Sequence, residues 1–221
     1  VKNEPKEETL ATLARFKPHL LFTWLDNICH DPNLLDIIED LIGPDLLIYS
    51  SAFFIKNSND QAYVPWHQDS IYADFKGGQQ VRAWVAFTHS NASNGCMRVI
   101  KGSHKKQFKH IDDPSDKNNI LFRKEKISEN VDERLAADLI LRPGEMSVHH
   151  YGVIHGSEPN FSNDRRIGFA IAFVTPDTIA TGRNETAMLA RGYASEKDWA
   201  LEPRPLADRD NNARIAHARA M

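Results

Sequence analysis

The chain has little cysteine: Cys29 and Cys96 are the only two in 221 residues. That excludes a disulfide framework and a cysteine-rich zinc site, and it suits a reducing compartment such as the cytoplasm. An excess of one charge is also missing. With 27 Lys and Arg against 30 Asp and Glu, the net charge is -3, which leaves no global basic surface to hold nucleic acid. No apolar run approaches a membrane span, and nothing at the N-terminus reads as a secretory segment. The chain opens on Val1 rather than Met, so a removed leader stays open. Internal repeats and low-complexity tracts are absent. The expected partner is a small molecule, with neither nucleic acid nor membrane involved; the sequence does not speak to oligomeric state.

What is present is one chain of ordinary globular composition, 41% hydrophobic, long enough for one sizeable core and short for two. Residues 1–221 read as a single domain. Apolar residues recur at helical spacing from about 7 to 43, with Asp31-Pro32 as a helix start and Gly43-Pro44 as a stop, which predicts two N-terminal helices. From 45 the period changes. LLIYSSAFFIK (46–56), VRAWVAFTH (81–89), GCMRVI (95–100), DLILR (138–142), MSVHHY (146–151) and RIGFAIAFV (166–174) read as strands, with Pro143-Gly144 forming a tight turn. Residues 104–136 are polar and charged and predict a long loop with a short helix, and the tail from 177 shows little periodicity. The expected class is mainly β with flanking helices, a sandwich or jelly roll with an open mouth where a metal can sit.

The residues that could do chemistry begin at YVPWHQDSIYADF (63–75). His67 and Asp69, two apart on extended chain, put their side chains on one face, close enough to grip one ion. With ten histidines an isolated H-x-D is cheap, expected by chance about 0.5 to 1 times, and a hydrogen-bonded pair or a capped turn explains it equally well. A second cluster, HHYGVIHGSEPN, holds His155, and Arg166 follows at the head of a strong strand. Two histidines and one carboxylate on one face of an iron leave three positions open, the arrangement that suits non-haem Fe(II) oxygen chemistry. Along RIGFAIAF, Arg166 shares its parity with Gly168, Ala170 and Ala172, while Ile167, Phe169, Ile171 and Phe173 take the other. The bulky face must pack on another layer, and the small face leaves volume around Arg166 for a carboxylate held bidentately. The competing reading is a surface arginine on a tightly packed strand.

Together, PWHQDSIY, VRAWVAFTHSNASNGCMRVIKGSHK and RPGEMSVHHYGVIHGSEPNFSNDRRIGF resemble the phytanoyl-CoA dioxygenase family of Fe(II)- and 2-oxoglutarate-dependent oxygenases, over residues 45–176. The resemblance implies a double-stranded β-helix, a cupin-like jelly-roll barrel, at about 45–176, with a polar segment at 177–221. It implies His67, Asp69 and His155 as iron ligands and Arg166, rather than Arg165, as the 2-oxoglutarate arginine. Ser157, Trp84 and Gln68 fall on further cofactor-contact positions. O2 is the remaining co-substrate, and the products are a hydroxylated carbon, succinate and CO2. Related halogenases carry a small residue where this chain has Asp69, so hydroxylation is the expected outcome.

Parity places Arg82 on the face of Trp84, toward a substrate anion or an internal salt bridge. Tyr72 and Met97 are the other candidates for the substrate cavity. His149 and His150, adjacent on a strand, point to opposite faces and read as packing and surface. His89, His104 and His110 read as loop or surface histidines, Cys96 as a small buried hydrophobe, and HKKQFKH as a solvated loop that could instead meet the phosphates of a coenzyme A thioester. Two other classes remain open: a cupin-like metal enzyme that does not use 2-oxoglutarate, and a non-catalytic binding protein derived from the oxygenase.

Overall fold

The computed structural model describes residues 15–72, 75–180, 185–195 and 199–220; the expected helical stretch at 7–14 lies outside them. After a 3-10 turn at Pro18–Leu20 come α1 (Thr23–Cys29) and α2 (Pro32–Ile42). Asp31 starts α2 as the sequence predicts, its carboxylate accepting from Asn33 N at 2.9 Å and Leu34 N at 3.4 Å. Gly43 ends it at φ 99°, a left-handed value that glycine takes without a Cβ clash.

The strands are β1 (Leu46–Lys56), β2 (Val64–His67), β3 (Phe75–Lys76), β4 (Gln80–Ala86), β5 (Met97–Ile100), β6 (His110–Asp112), β7 (Glu125–Ile127), β8 (Ala136–Leu139), β9 (Met146–His150), β10 (His155–Ser157), β11 (Arg166–Val174), β12 (Ile179–Ala180), β13 (Thr186–Arg191) and β14 (Ala200–Leu201). A final helix, α3, spans Asn211–Ala220. The major sheet runs β14-β13-β1-β11-β4-β9 and the minor one β2-β10-β5-β8. The fold is mainly β with helices outside, as expected. No helix of the described residues is long and apolar enough to cross a membrane.

The alternation along β11 decides which side of the major sheet each layer takes. Phe169, Ile171 and Phe173 are fully buried against Leu25, Leu34, Leu35 and Ile38 of the two N-terminal helices, each such burial worth about 1.5–3 kcal/mol. The opposite parity faces the barrel interior, where Ala170, Trp84 and Ala86 meet Met97 from the minor sheet. Interior space is thus set by small residues on β11, and the helices shield its outer face.

Two expectations differ from the structure. Residues 104–136 fold in part as a β6–β7 hairpin, followed by a 3-10 turn at Glu133–Leu135; the short helix expected there is one turn. The segment beyond 177 is not simply a polar tail, because β13 pairs with β1 and carries the major sheet past residue 176. Its patterning is weak because β13 lies near the sheet's edge, with Ala187 and Met188 the buried members.

A buried ion pair ties this segment to the N-terminal turn. Lys17 Nζ lies 2.5 Å from Glu202 Oε1 and 2.8 Å from Thr186 O, with Lys17 only 2% exposed. Removing one member strands the other's charge in the interior. Glu202→Ala should lower unfolding free energy by about 3–5 kcal/mol, and the double variant Lys17→Met/Glu202→Leu should recover most of that in urea denaturation.

Candidate active site

Antiparallel pairing of β2 with β10 sets His67 directly opposite His155. Their rings stand 4.1 Å apart, and both residues are buried. The chain beyond His67 stays extended for one more residue, Gln68 (φ -120°, ψ 132°), before a 3-10 turn opens on Asp69. The alternation expected of an extended H-x-D therefore survives, although the strand itself ends at His67. Asp69 Oδ1 lies 3.6 Å from His67 Nε2 and Oδ2 lies 3.8 Å from His155 Nε2. One ligating atom from each of the three residues falls within 4.8 Å of the others, the only such group of His, Cys, Asp or Glu among the described residues.

The local hydrogen bonds prepare these groups to ligate. His67 Nδ1 lies 3.0 Å from Pro65 O and His155 Nδ1 3.0 Å from Val153 O. Each ring thereby donates from Nδ1 to a carbonyl two residues back, which leaves an Nε2 lone pair for an ion. Burial, then the neighbouring His67, holds the His155 imidazolium well below its ordinary pKa, so the ring is neutral. Burial pushes the Asp69 carboxyl up, but the Arg82 guanidinium beside it more than offsets this and holds the pKa well below the carboxylate range. The donor set, two imidazoles whose Nδ1 atoms are committed to backbone carbonyls and one carboxylate, fits a divalent first-row metal.

Arg82 reaches Asp69 rather than a free anion. Its Nε stands 2.7 Å from Asp69 Oδ2, and its guanidinium lies over the Tyr151 ring at 5.3 Å. Of the two readings of this inward arginine, the internal salt bridge is the one the structure shows. Gln68, expected at a cofactor-contact position, is fully buried and stitches loops together. Its Nε2 donates to Lys106 O at 2.8 Å and Gly152 O at 2.6 Å, and its Oε1 accepts from Phe108 N at 2.8 Å. Its backbone N–H donates to His110 Nε2 at 3.0 Å. His110 is therefore no surface histidine; it braces the peptide between His67 and Asp69.

The other end of the interior is cationic. Arg166, 2% exposed, lies 5.3 Å from the Trp84 ring, and its Nε and Nη2 have no hydrogen-bond partner. Burial lowers its pKa to about 10, which keeps it charged. Trp84 lies flat across β11, since a Cβ on Gly168 would fall 1.8 Å from its ring. Lys56, missed in the sequence, pairs with Arg166 in register and is fully buried. Its ammonium donates to Ser157 Oγ at 2.7 Å, to Ser157 O at 3.2 Å and to Glu158 O. Burial and then Arg166 bring its pKa down to about 7. The signal was available: strand parity puts Lys56 on the face of Ser50, Ala52 and Phe54, opposite the small residues of β11.

Tyr72 is 37% exposed, its ring 6.2 Å from that of His67, so it stands at the rim of the site. Met97 is buried on the facing sheet beside Trp84. His149 and His150 do face opposite ways, but the buried one is more than packing, since its Nε2 lies 3.7 Å from Asp69 Oδ2. Cys96 is 2% exposed, and burial raises its thiol pKa to about 11, as expected of an inert hydrophobe.

With this geometry in hand, residues 6–168 match the family described as phytanoyl-CoA dioxygenase (PhyH). The chain belongs to the phytanoyl-CoA dioxygenase family. Membership bears out the fold and the cofactor pair, Fe(II) and 2-oxoglutarate, that the sequence resemblance implies. Among relatives, a probable alpha-ketoglutarate-dependent hypophosphite dioxygenase of Stutzerimonas stutzeri is 27% identical over 176 residues, 76% of this chain and 61% of that protein. This chain therefore spans less than two thirds of that relative's length. Among solved structures, the non-heme monooxygenase ThoJ in its apo form superposes with a TM-score of 0.85 at 34% identity, covering 96% of this chain and 78% of that one. CytC3 with Fe(II) and alpha-ketoglutarate shares the fold, at a TM-score of 0.63, 24% identity and coverage of 90% and 76%.

The Gln68 staple positions His67 and Asp69, the two members of the three-residue group that flank it. Gln68→Ala should weaken binding of Fe(II), or of Co(II) as its spectroscopic substitute, by about 10-fold. Competition against a chelator measures this, and the circular dichroism spectrum should stay native.

Proposed function

We propose that this chain is an Fe(II)- and 2-oxoglutarate-dependent dioxygenase that hydroxylates an unactivated carbon of a small molecule, with release of succinate and CO2. The observation that carries the reading is Arg166. A guanidinium this deeply buried has no carboxylate partner among the described residues, which is tolerable only if a ligand brings one. It lies on the same interior wall as Trp84, whose ring it meets at 5.3 Å.

Iron, held by His67, Asp69 and His155, supplies the oxygen chemistry through its open coordination positions. The chain's own residues do the rest. Arg166 meets the far carboxylate of the oxo acid with a bidentate pair of N–H donors. Ser157 assists it in a defined sense: its Oγ accepts from Lys56, so its O–H proton is left free to donate to that carboxylate. Lys56 is thus a positioning residue, and its charge adds to that of Arg166 at the end where a dicarboxylate terminates. Trp84 walls the cavity and excludes water from the arginine. Arg82 holds Asp69 ionised and oriented, while Tyr72 at the rim and Met97 on the facing sheet stand where the primary substrate would enter. The carboxylate of Asp69 fills the position that a halide would need, which favours hydroxylation.

A cupin-like metal enzyme that does not use 2-oxoglutarate would have no purpose for the unpaired arginine. A non-catalytic descendant would be expected to have lost a ligand or the clamp, and this chain keeps both.

Anaerobic titration of the metal-free protein with Fe(II) and then 2-oxoglutarate should give a weak visible charge-transfer band. Arg166→Ala should weaken 2-oxoglutarate binding by about 100-fold, the scale of a lost charge-assisted pair, and Asp69→Ala should abolish succinate release. Iron that binds without any band would overturn the reading. Lys56→Met should narrow the preference for 2-oxoglutarate over 2-oxovalerate, which lacks the far carboxylate, while leaving Fe(II) affinity unchanged.

A further inference from the structure

The cradle for the oxo acid has one more polar wall. Strand β9 pairs with β4 so that His149 faces Arg82 and Ser147 faces Trp84, which puts both side chains on the interior face. The His149 side chain is 5% exposed, and neither of its ring nitrogens has a hydrogen-bond partner. Ser147 Oγ is buried without a partner as well. Leaving a buried imidazole unpaired at both nitrogens is costly, and an occupant beside it would remove that cost.

The position of the ring narrows what that occupant is. His149 Nε2 lies 3.7 Å from Asp69 Oδ2, beyond a hydrogen bond, and its ring is 4.7 Å from that of His155. Asp69 Oδ2 is already claimed by Arg82 at 2.7 Å, so His149 is not needed as its counter-ion. Nor is His149 built like the metal ligands. His67 and His155 each have Nδ1 fixed by a backbone carbonyl, whereas nothing fixes the tautomer of His149. His149 Nε2 thus faces the space beside Asp69 and His155, where the head of an oxo acid would lie if these residues held an ion.

We propose that His149 donates a hydrogen bond from Nε2 to the metal-bound carboxylate of the oxo acid, at the end opposite Arg166, and so fixes which open position that carboxylate takes. The inference rests on the 2-oxoglutarate reading above. On it, the interior grips the co-substrate at both ends: Arg166 and Ser157 at the far carboxylate, His149 at the near one. His149 is then a specificity residue for the 2-oxo acid head, independent of which primary substrate is used.

The test needs no primary substrate. Fe(II)-loaded wild type, His149→Phe and His149→Gln are titrated anaerobically with 2-oxoglutarate while the charge-transfer band is followed, with Fe(II) affinity measured separately by chelator competition. Phe should weaken 2-oxoglutarate binding by about 10-fold and shift the band, because the head of the oxo acid loses its donor. Gln, which keeps an N–H, should restore most of both, and Fe(II) affinity should stay within about twofold throughout. No band in the wild type would overturn the function itself. A wild-type band with an unchanged Phe variant would overturn only the role of His149, as would a Phe variant that loses Fe(II) affinity about 10-fold. Should the Phe variant not fold, histidine-ring NMR of the Zn(II)-loaded wild type decides. One imidazole N–H that His149→Gln lacks should become protected from exchange on adding 2-oxoglutarate, and its failure to do so would sink the proposal.

Discussion

The ion pair between Arg82 and Asp69 is the contact on which the site depends. Asp69 is 2% exposed, and a lone carboxylate taken that far from water would bind a proton and cease to ligate a metal. Arg82, 2.7 Å away and itself lying over Tyr151, keeps the group ionised. That single pairing explains why the arginine points inward on β4 and why a buried tyrosine lies beneath it. It also fixes one carboxylate oxygen, so that the other is the freer of the two to turn toward an ion.

Around this contact the barrel divides its polar groups into two kinds. Gln68 has its amide taken up by three backbone groups, and His110 is held between Phe108 O and the Gln68 N–H. These are construction: they stitch β2, the loop before β6 and the turn before β10 into one frame, so that His67 and His155 stay in register. Arg166, Ser147 and His149 carry buried polar atoms with no partner at all. Stability alone would remove such groups. On the reading proposed above, they line the space that a polar, carboxylate-bearing molecule would fill.

Much of this was readable from the sequence, for reasons of periodicity. The period-2 pattern of RIGFAIAFV fixed the faces of β11, and with them the inward course of Arg166 and the helices' packing surface. Asp31-Pro32 and Gly43 bounded α2 because a cap and a left-handed turn are local chemistry. The site was legible as a set of candidates, but its closure was not. That His67 stands opposite His155 depends on the pairing of β2 with β10, a contact between distant parts of the chain that no local pattern encodes. His110 was misjudged for the same cause, since its role comes from a loop that brings it to the Gln68 N–H. The C-terminal strand β13 escaped notice because a strand near a sheet's edge needs only a few apolar residues, and Ala187 and Met188 suffice.

The same reasoning explains why Lys56 and Arg166 can share one buried end of the barrel. Two cations in adjacent register repel, and burial adds to that cost; the lysine's pKa, brought down to about 7, records both. Lys56 survives because Ser157 and Glu158 give its three N–H groups an acceptor each, whereas Arg166 has no comparable set. The strain is therefore not shared equally. It is concentrated on the one group that faces the cavity, and a dicarboxylate entering there would gain from relieving it. An apolar residue at position 56 would make the empty barrel more comfortable and the loaded one less so, which is the behaviour expected where stability has been given up for binding.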